Sequence, residues 1–347
     1  MSDAPSDPRD LSPRDARDRL LARRKTDATE RTLNSYHYRL AHWVEWCEEN
    51  GIERVGDVTP WHIDEYDMHR RQQGNAPTTI KGELTTLRVL LKYLARIDAV
   101  DDKIPEAVDV PNLSPKEESS DERLTAEDAT ALLTYFRNSR AEFGTAKHAF
   151  LEVTWNTGAR VGGIRALDVD DYDDSGTLAF RHRPRTDTPL KNKEDGERIV
   201  GIPPAVCEAL NVYIERERHD KRDDHGREPL FSARQGRPSF STLRAWSYLG
   251  TQPCLHSQCP HGRDRPRCGY VSRNDASKCP SSRSPHRIRT GSVTEQLNRG
   301  FAVEKVATRV NATPQVLRDH YDVADEDEEF QQRRRAEFAE FDIGNQP

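Results

Sequence analysis

The stretch Ser284–Gly300, SPHRIRTGSVTEQLNRG, decides how the rest of this chain is read. A helix opening there puts His286 and Arg289 one turn apart on one face. Alone, an H-x-x-R pair is more often a solvated helix face than a site. The residues around it have to settle the matter.

Three other polar residues stand out in the same way. Arg160 follows a Thr-Gly turn in WNTGAR, ahead of a stripe (Ile164, Leu167) that faces a core. Lys191 sits near the tip of an expected hairpin. Tyr321, in RDHYDVAD, is the only tyrosine after position 270 and lies between a helical stripe (Val306, Val310, Val316, Leu317) and an acidic run.

The bulk of the sequence sets the frame. Its 347 residues are enough for two domains with separate cores. Hydrophobic residues make up 34% and charged residues 32%, and no apolar run reaches membrane-spanning length. The N-terminus lacks the apolar centre of a signal peptide, so a cytoplasmic location is expected. Asp and Glu number 59 against 53 Lys and Arg, of which only 11 are Lys, for a net charge of −6. An acidic, lysine-poor surface suits a salt-rich cytoplasm, although a GC-rich genome also favours Arg over Lys. Net charge therefore says nothing for or against nucleic acid, and local basic clusters must carry that question.

Along the chain, residues 1–25 show no apolar periodicity and read as a flexible arm. From Thr26, Leu33, Tyr36, Leu40, Val44 and Cys47 step by three or four, with Gly51 as a stop. Thr59 and Pro60 open a second helix that ends at Gly74, and Leu84, Leu87, Leu91 and Leu94 mark a third. Residues 26–110 thus form a small all-helical domain. Residues 111–123, rich in Pro, Ser and charge, read as a linker. A second domain, 124–325, starts with Thr125 capping a helix. In it GTLAFRHR and ERIVGIP are strand-like and flank the basic loop PRTDTPLKNKEDG, a hairpin with a long charged tip. The whole is mainly α with a small antiparallel β-sheet.

Arg160, a hairpin lysine, His286, Arg289 and Tyr321, in that order, resemble the pattern of the tyrosine recombinases, the phage-integrase family. TGARVGGIRALDVDD is similar to the family's first arginine box, SPHRIRTGSVTEQLNRG to its H-x-x-R box, and VATRVNATPQVLRDHYD to its tyrosine box. The resemblance is to a haloarchaeal type of the family and covers roughly residues 26–325. It implies a SAM-like core-binding domain over 26–110, a DNA breaking-rejoining catalytic domain over 124–325, and a C-terminal tail helix over 326–347. It also implies a double-stranded DNA partner held in a C-shaped clamp and a homo-oligomer, a tetramer on DNA. No cofactor is implied for catalysis.

The implied chemistry explains the residue types. A tyrosine phenol supplies the nucleophile and keeps the bond energy in a 3′-phosphotyrosyl ester. Two guanidiniums clamp the non-bridging oxygens, and their planar forks suit phosphate better than Lys would. A lysine on a hairpin reaches the leaving oxygen as general acid. His286 bonds the phosphate or helps move the phenolic proton.

The match departs from the family in three places. The acidic residue usual three positions after the first arginine is Gly163 here. The family's second histidine or tryptophan falls at Asn311, which can still donate to phosphate. The lysine is Lys191 or Lys193, and Lys191 is preferred because it follows the Thr-Pro turn. For Arg160 the plain alternative is an ion pair with Asp168 or Asp170; for Tyr321 it is simple aromatic packing.

Four of six cysteines, Cys254, Cys259, Cys268 and Cys279, fall in the segment 251–283, which has little to bury. So long a loop needs a staple. Structural Zn²⁺ on the four thiolates is the expectation, with His256 or His261 as substitutes; disulfides are disfavoured in a cytoplasmic chain. Basic clusters at Arg181, His182, Arg183 and Arg185, and at Arg283 and Arg287, are candidate DNA contacts or solvated charge. The leading reading is a site-specific recombinase or integrase. Its rivals are a catalytically silent DNA-binding regulator, a type IB topoisomerase-like enzyme and a zinc-knuckle interaction protein.

Overall fold

The structure is a computed structural model that describes residues 6–118 and 122–321. It divides into two compact units, one running to residue 120 and one from residue 121.

The first unit is built on α1 (Pro13–Arg24), α2 (Glu30–Glu49), α3 (Pro60–Gln72) and α4 (Pro77–Ala95), with one further turn, α5 (Pro115–Glu118). Ser12, Thr29 and Thr59 cap α1, α2 and α3 with their hydroxyls. The stripes read from the sequence point inward: Val44 is buried, and Leu40 and Cys47 from α2 meet Leu84, Leu87, Leu91 and Leu94 from α4 in one core. Trp43 and Trp46 enclose Tyr66, with the Trp43 and Tyr66 rings edge-on at 5.0 Å. Arg70 and Glu83 form a buried two-pronged pair, both bonds 2.8 Å, that ties α3 to α4.

The flexible arm expected over residues 1–25 is not what residues 6–25 form. Leu11, Ala16 and Leu20 are 5%, 0% and 3% exposed and belong to the same core. The aliphatic part of Arg17 is buried with them. Only one residue in three or four on α1 is apolar, so the stripe is hidden among Asp and Arg. It is enough, because α2 supplies the rest of the wall.

The second unit is organised round α7 (Ala146–Thr157), buried on nearly every side. Packed on it are α6 (Ala126–Asn138), α9 (Pro204–Arg216), α10 (Phe240–Gly250) and α11 (Pro285–Asn298). The crossing of α11 is close: a Cβ at Gly291 would lie 1.8 Å from the Leu124 carbonyl oxygen, so only glycine fits there. The short helix α8 (Val161–Ala166) follows α7. The sheet is antiparallel in the order β1 (Tyr172–Asp173), β2 (Thr177–Phe180), β3 (Arg198–Gly201), with Leu178 opposite Val200 and Phe180 opposite Arg198. It is the small sheet expected, with β1 added. Last come α12 (Val303–Val310) and α13 (Pro314–His320). Residues 217–239 are irregular and held by ion pairs. The tail helix expected over 326–347 lies outside the described residues.

Between α10 and α11 the cysteine segment makes four short 3-10 turns. Its staples are polar. Buried Gln252 donates to the Tyr270 carbonyl at 2.7 Å, buried Ser282 donates to the Ala276 and Cys279 carbonyls, and the Arg283 amide donates to Thr251. Arg273 reaches Thr242 on α10 at 2.6 Å.

Candidate active site

Helix α7 ends at Gly158, whose φ of 59° is left-handed; a side chain there would meet Val310 at 2.9 Å and Ser292 at 3.2 Å. The chain turns at once, so that Arg160 precedes the first residue of α8 and faces the end of α12. The plain alternative for Arg160 fails. Asp168 is taken up by Arg227 and Arg237, each reaching it at 2.5 Å, and Arg160 donates instead to the Asn311 carbonyl.

Helix α11 is capped by Ser284 with Pro285 at its first position. Arg289, one turn in, is 1% exposed. Its Nη1 donates to the Gly158 carbonyl at 2.6 Å and the Val310 carbonyl at 2.8 Å. Its Nε and Nη2 are buried without a partner. Burial pushes this guanidinium down to about 10, Arg160 adds to the fall, and the nearby Tyr321 phenol opposes it without being aligned as an acceptor.

Tyr321 closes α13 and is 6% exposed. The guanidinium carbon of Arg289 stands 4.7 Å from the centre of its ring, and the imidazole of His286 meets it edge-on at 5.5 Å. His286 has its pKa lowered to about 4 by burial and by the charges of Arg289, Arg287, Arg160 and Lys191. The ring is open to solvent on one side, so the four cations are the firmer part of that cause. At neutral pH it is an uncharged base.

The lysine loop joins the same centre. Lys191 is among the charges that act on His286. Lys191 follows Leu190, which is 5% exposed and part of the core, and precedes Asn192, whose amide donates to the Asn311 side chain at 2.8 Å. Lys193 opens a 3-10 turn with a φ of 52°. Asn311 itself is left-handed, φ 55°, at the end of α12. Its amide oxygen accepts from Asn192 and its carbonyl from Arg160, so it bridges the lysine loop and the arginine.

Two arginines were not singled out in the sequence. Arg198 lies on the inward face of β3 with Val200, 4.2 Å over the Phe180 ring; burial and the charges of Arg289, Arg160 and Arg309 lower it to about 10. Arg309 is lowered by burial and donates to the Asn156 and Gly201 carbonyls at 2.8 and 2.9 Å. An arginine alternating with buried valine on a strand was the available signal. These groups converge on the end of α12, where three successive carbonyls each hold a different arginine. Arg309 oxygen accepts from Arg198 at 2.7 Å, Val310 oxygen from Arg289 at 2.8 Å, and Asn311 oxygen from Arg160 at 2.5 Å. At Gly163 a Cβ would touch Phe180 at 3.3 Å and Leu190 at 3.9 Å, so the family's acidic position is filled by apolar packing.

The flanking basic clusters are largely spoken for. Arg183 pairs in two-pronged fashion with Asp171 at 2.7 Å, and Arg283 donates to the Arg123, Pro280 and Ser282 carbonyls. Arg181 and Arg287 sit 3.9 and 3.8 Å from Glu197 and Glu122. The four segment cysteines carry no disulfide, and Cys254 sulfur accepts from Arg265 at 3.0 Å. Among the described residues no three His, Cys, Asp or Glu side chains come together to hold a metal. The thiols as placed do not fit a tetrahedral zinc, whose four ligands must converge.

A centre of four arginines, a lysine, a neutral imidazole and a phenol, with two orphaned guanidinium nitrogens, is strongly cationic and suited to an anionic group. The fold agrees. The structure superposes on the Tn1549 transposon integrase solved with a circular intermediate DNA, at TM-score 0.62 and 14% identity, covering 95% of this chain and 99% of that one. It also superposes on a lambda integrase dimer bound to a COC′ core site, at 0.61 and 13%, covering 91% and 79%. The chain therefore has the tyrosine-recombinase fold.

Residues 21–97 match the phage integrase N-terminal SAM-like domain. In sequence the chain is similar to "Tyrosine recombinase XerC 2" of Ralstonia nicotianae, 28% identical over 155 residues, and to "Tyrosine recombinase XerD" of Halalkalibacterium halodurans, 25% identical over 219. Those matches take in 43% and 63% of this chain and 44% and 69% of the relatives' own lengths. No helix among the described residues is long and apolar enough to cross a membrane.

Proposed function

We propose that this chain is a site-specific recombinase or integrase that cuts and rejoins double-stranded DNA through Tyr321. One observation carries the reading: Tyr321 packs on Arg289, whose Nε and Nη2 are buried and unpartnered beside it. Buried donors are seldom left unmade, and a phosphate's non-bridging oxygens would satisfy both.

In this reading Arg160 and Arg289 clamp the phosphate, and Arg198 adds positive potential behind them. The Tyr321 oxygen attacks phosphorus while its proton passes to neutral His286. The bond from phosphorus to the 5′-oxygen breaks, and that oxygen takes a proton from Lys191 and leaves as a hydroxyl. The 3′-phosphotyrosyl ester keeps the bond energy, so a 5′-hydroxyl from another strand can reverse the step without ATP. Strand exchange needs more than one copy on the DNA, which favours an oligomer, a tetramer on a full site. Zinc on the cysteine segment plays no part in the proposal, because the thiols do not converge.

The acidic, lysine-poor composition supports a salt-rich cytoplasmic setting of the haloarchaeal kind. A melting temperature that rises with KCl into the molar range would bear that out; one that falls would not.

The functional test is a nicked duplex that loses its short 5′-leaving strand after cleavage. Wild type traps a covalent adduct on a true attachment site, and Tyr321→Phe does not. No adduct on a verified site would favour a DNA-binding regulator on this fold. Adducts on every duplex, with plasmid relaxation by a monomer, would favour a type IB topoisomerase.

A further inference from the structure

We propose that Asn311 is a positioning residue that acts through Lys191, joining the lysine loop to the arginine clamp, and that Asn192 is its partner in that clasp. The inference rests on the recombinase reading and deepens it.

A left-handed backbone at Asn311 stops α12 and turns its last carbonyls toward the site. Asparagine adopts that conformation more readily than most residues, and glycine adopts it freely. The consequence is the row of three carbonyls that hold Arg198, Arg289 and Arg160. Each is at the negative end of a helix, where a cation is favoured. No acid stands at Gly163 to share that task, and a side chain there would press on Phe180 at 3.3 Å.

The side chain of Asn311 does a second thing. Its oxygen takes the Asn192 amide at 2.8 Å, and its nitrogen lies where a Cβ at Gly196 would be 2.6 Å away. The lysine loop is thus pinned on both flanks of its tip: at Leu190 by the core, at Asn192 by Asn311. Lys191 is the residue left between the pins. One amide therefore links the general acid to the groups that hold the phosphate. Because Asn311 oxygen is held by Asn192 and its nitrogen lies beside Gly196, the side chain serves the lysine loop.

Glycine at 311 keeps the left-handed turn, hence the carbonyl row, and removes only the side-chain clasp. Asn192→Ala removes the same clasp from the other side. Both variants should cleave an ordinary nicked substrate roughly tenfold to a hundredfold more slowly than wild type, a share of what a general acid supplies. A substrate with sulfur in place of the bridging 5′-oxygen has a good leaving group and needs no acid. On it both variants should recover to within a few-fold of wild type. If Asn311→Gly or Asn192→Ala stays equally slow on the sulfur substrate, the amide acts elsewhere and the proposal is wrong.

A second measurement does not depend on cleavage. Endoproteinase Lys-C should cut the native Asn311→Gly and Asn192→Ala chains after Lys191 or Lys193 several-fold faster than wild type. Unchanged cutting would overturn the clasp. A wild type that forms no adduct, with faster cutting in the variants, would sink the recombinase reading and leave the clasp standing.

Discussion

The guanidinium carbon of Arg289 lies 4.7 Å from the centre of the Tyr321 ring, a cation set against the phenol. Burial already lowers this arginine to about 10 and leaves two of its nitrogens unpartnered. Replacing such a charge by an apolar chain of similar length is often neutral or stabilising. Arg289→Met should therefore melt at or above the wild-type temperature while losing roughly a hundredfold or more of adduct formation. A clearly lower melting temperature would mean that the carbonyl bonds to Gly158 and Val310 outweigh the burial cost.

His286 gives a pH prediction of definite sign. Its folded pKa, about 4, is below the ordinary 6.5, so the unfolded chain binds its proton first as pH falls. The stability it contributes is complete above pH 6.5 and is lost progressively toward pH 4. Proton NMR of the ring should show a midpoint near 4 that moves up in Arg289→Met, since Arg289 is the largest single charge acting on it. Between pH 7 and 5, His286→Gln should lose less stability than wild type. A wild-type midpoint at or above 6.5 would reject the cationic field.

Restoring an acid at position 163 should harm the protein. In Gly163→Asp the new Cβ would press on Phe180 at 3.3 Å and place a carboxylate against Leu190. Overpacking and a stranded charge together should cost about 1–3 kcal/mol, read as a lower denaturant midpoint. A variant as stable as wild type and more active would show that the apolar filling is dispensable.

Residues 6–25 test the first unit. Removing them strips Leu11, Ala16 and Leu20 from the core, and Leu20→Ala alone should cost about 2–5 kcal/mol. Thermal melting decides this, and an unchanged transition would return the segment to the status of an arm.

Much of this was legible in the sequence, and what was not has physical reasons. The α2 and α4 stripes were plain because their apolar residues repeat at helical spacing, whereas α1 buries only Ala16 and Leu20 beside Pro13 and Arg17. Arg160, His286, Arg289 and Tyr321 were found because their chemistry is in their side chains. Arg198 was missed because it lies outside the three boxes, and its one signal, alternation with buried Val200 on β3, is weak. Arg309, inside the tyrosine box, was passed over for Asn311 and Tyr321. Asn311 was noticed for what its amide could give a phosphate, while its left-handed backbone and its bond to Asn192 became visible only in three dimensions. Arg183 looked like a free cation until Asp171 closed on it.

The carbonyl row at residues 309–311 also bears on how such sites can drift over time. A hold exerted by peptide oxygens is indifferent to the chemistry of the side chains that hang from them, so this stretch could change wherever the buried valine and the left-handed turn are kept. What it could not survive is a shift of phase: one residue inserted or deleted in α12 would turn all three oxygens away from their arginines at once.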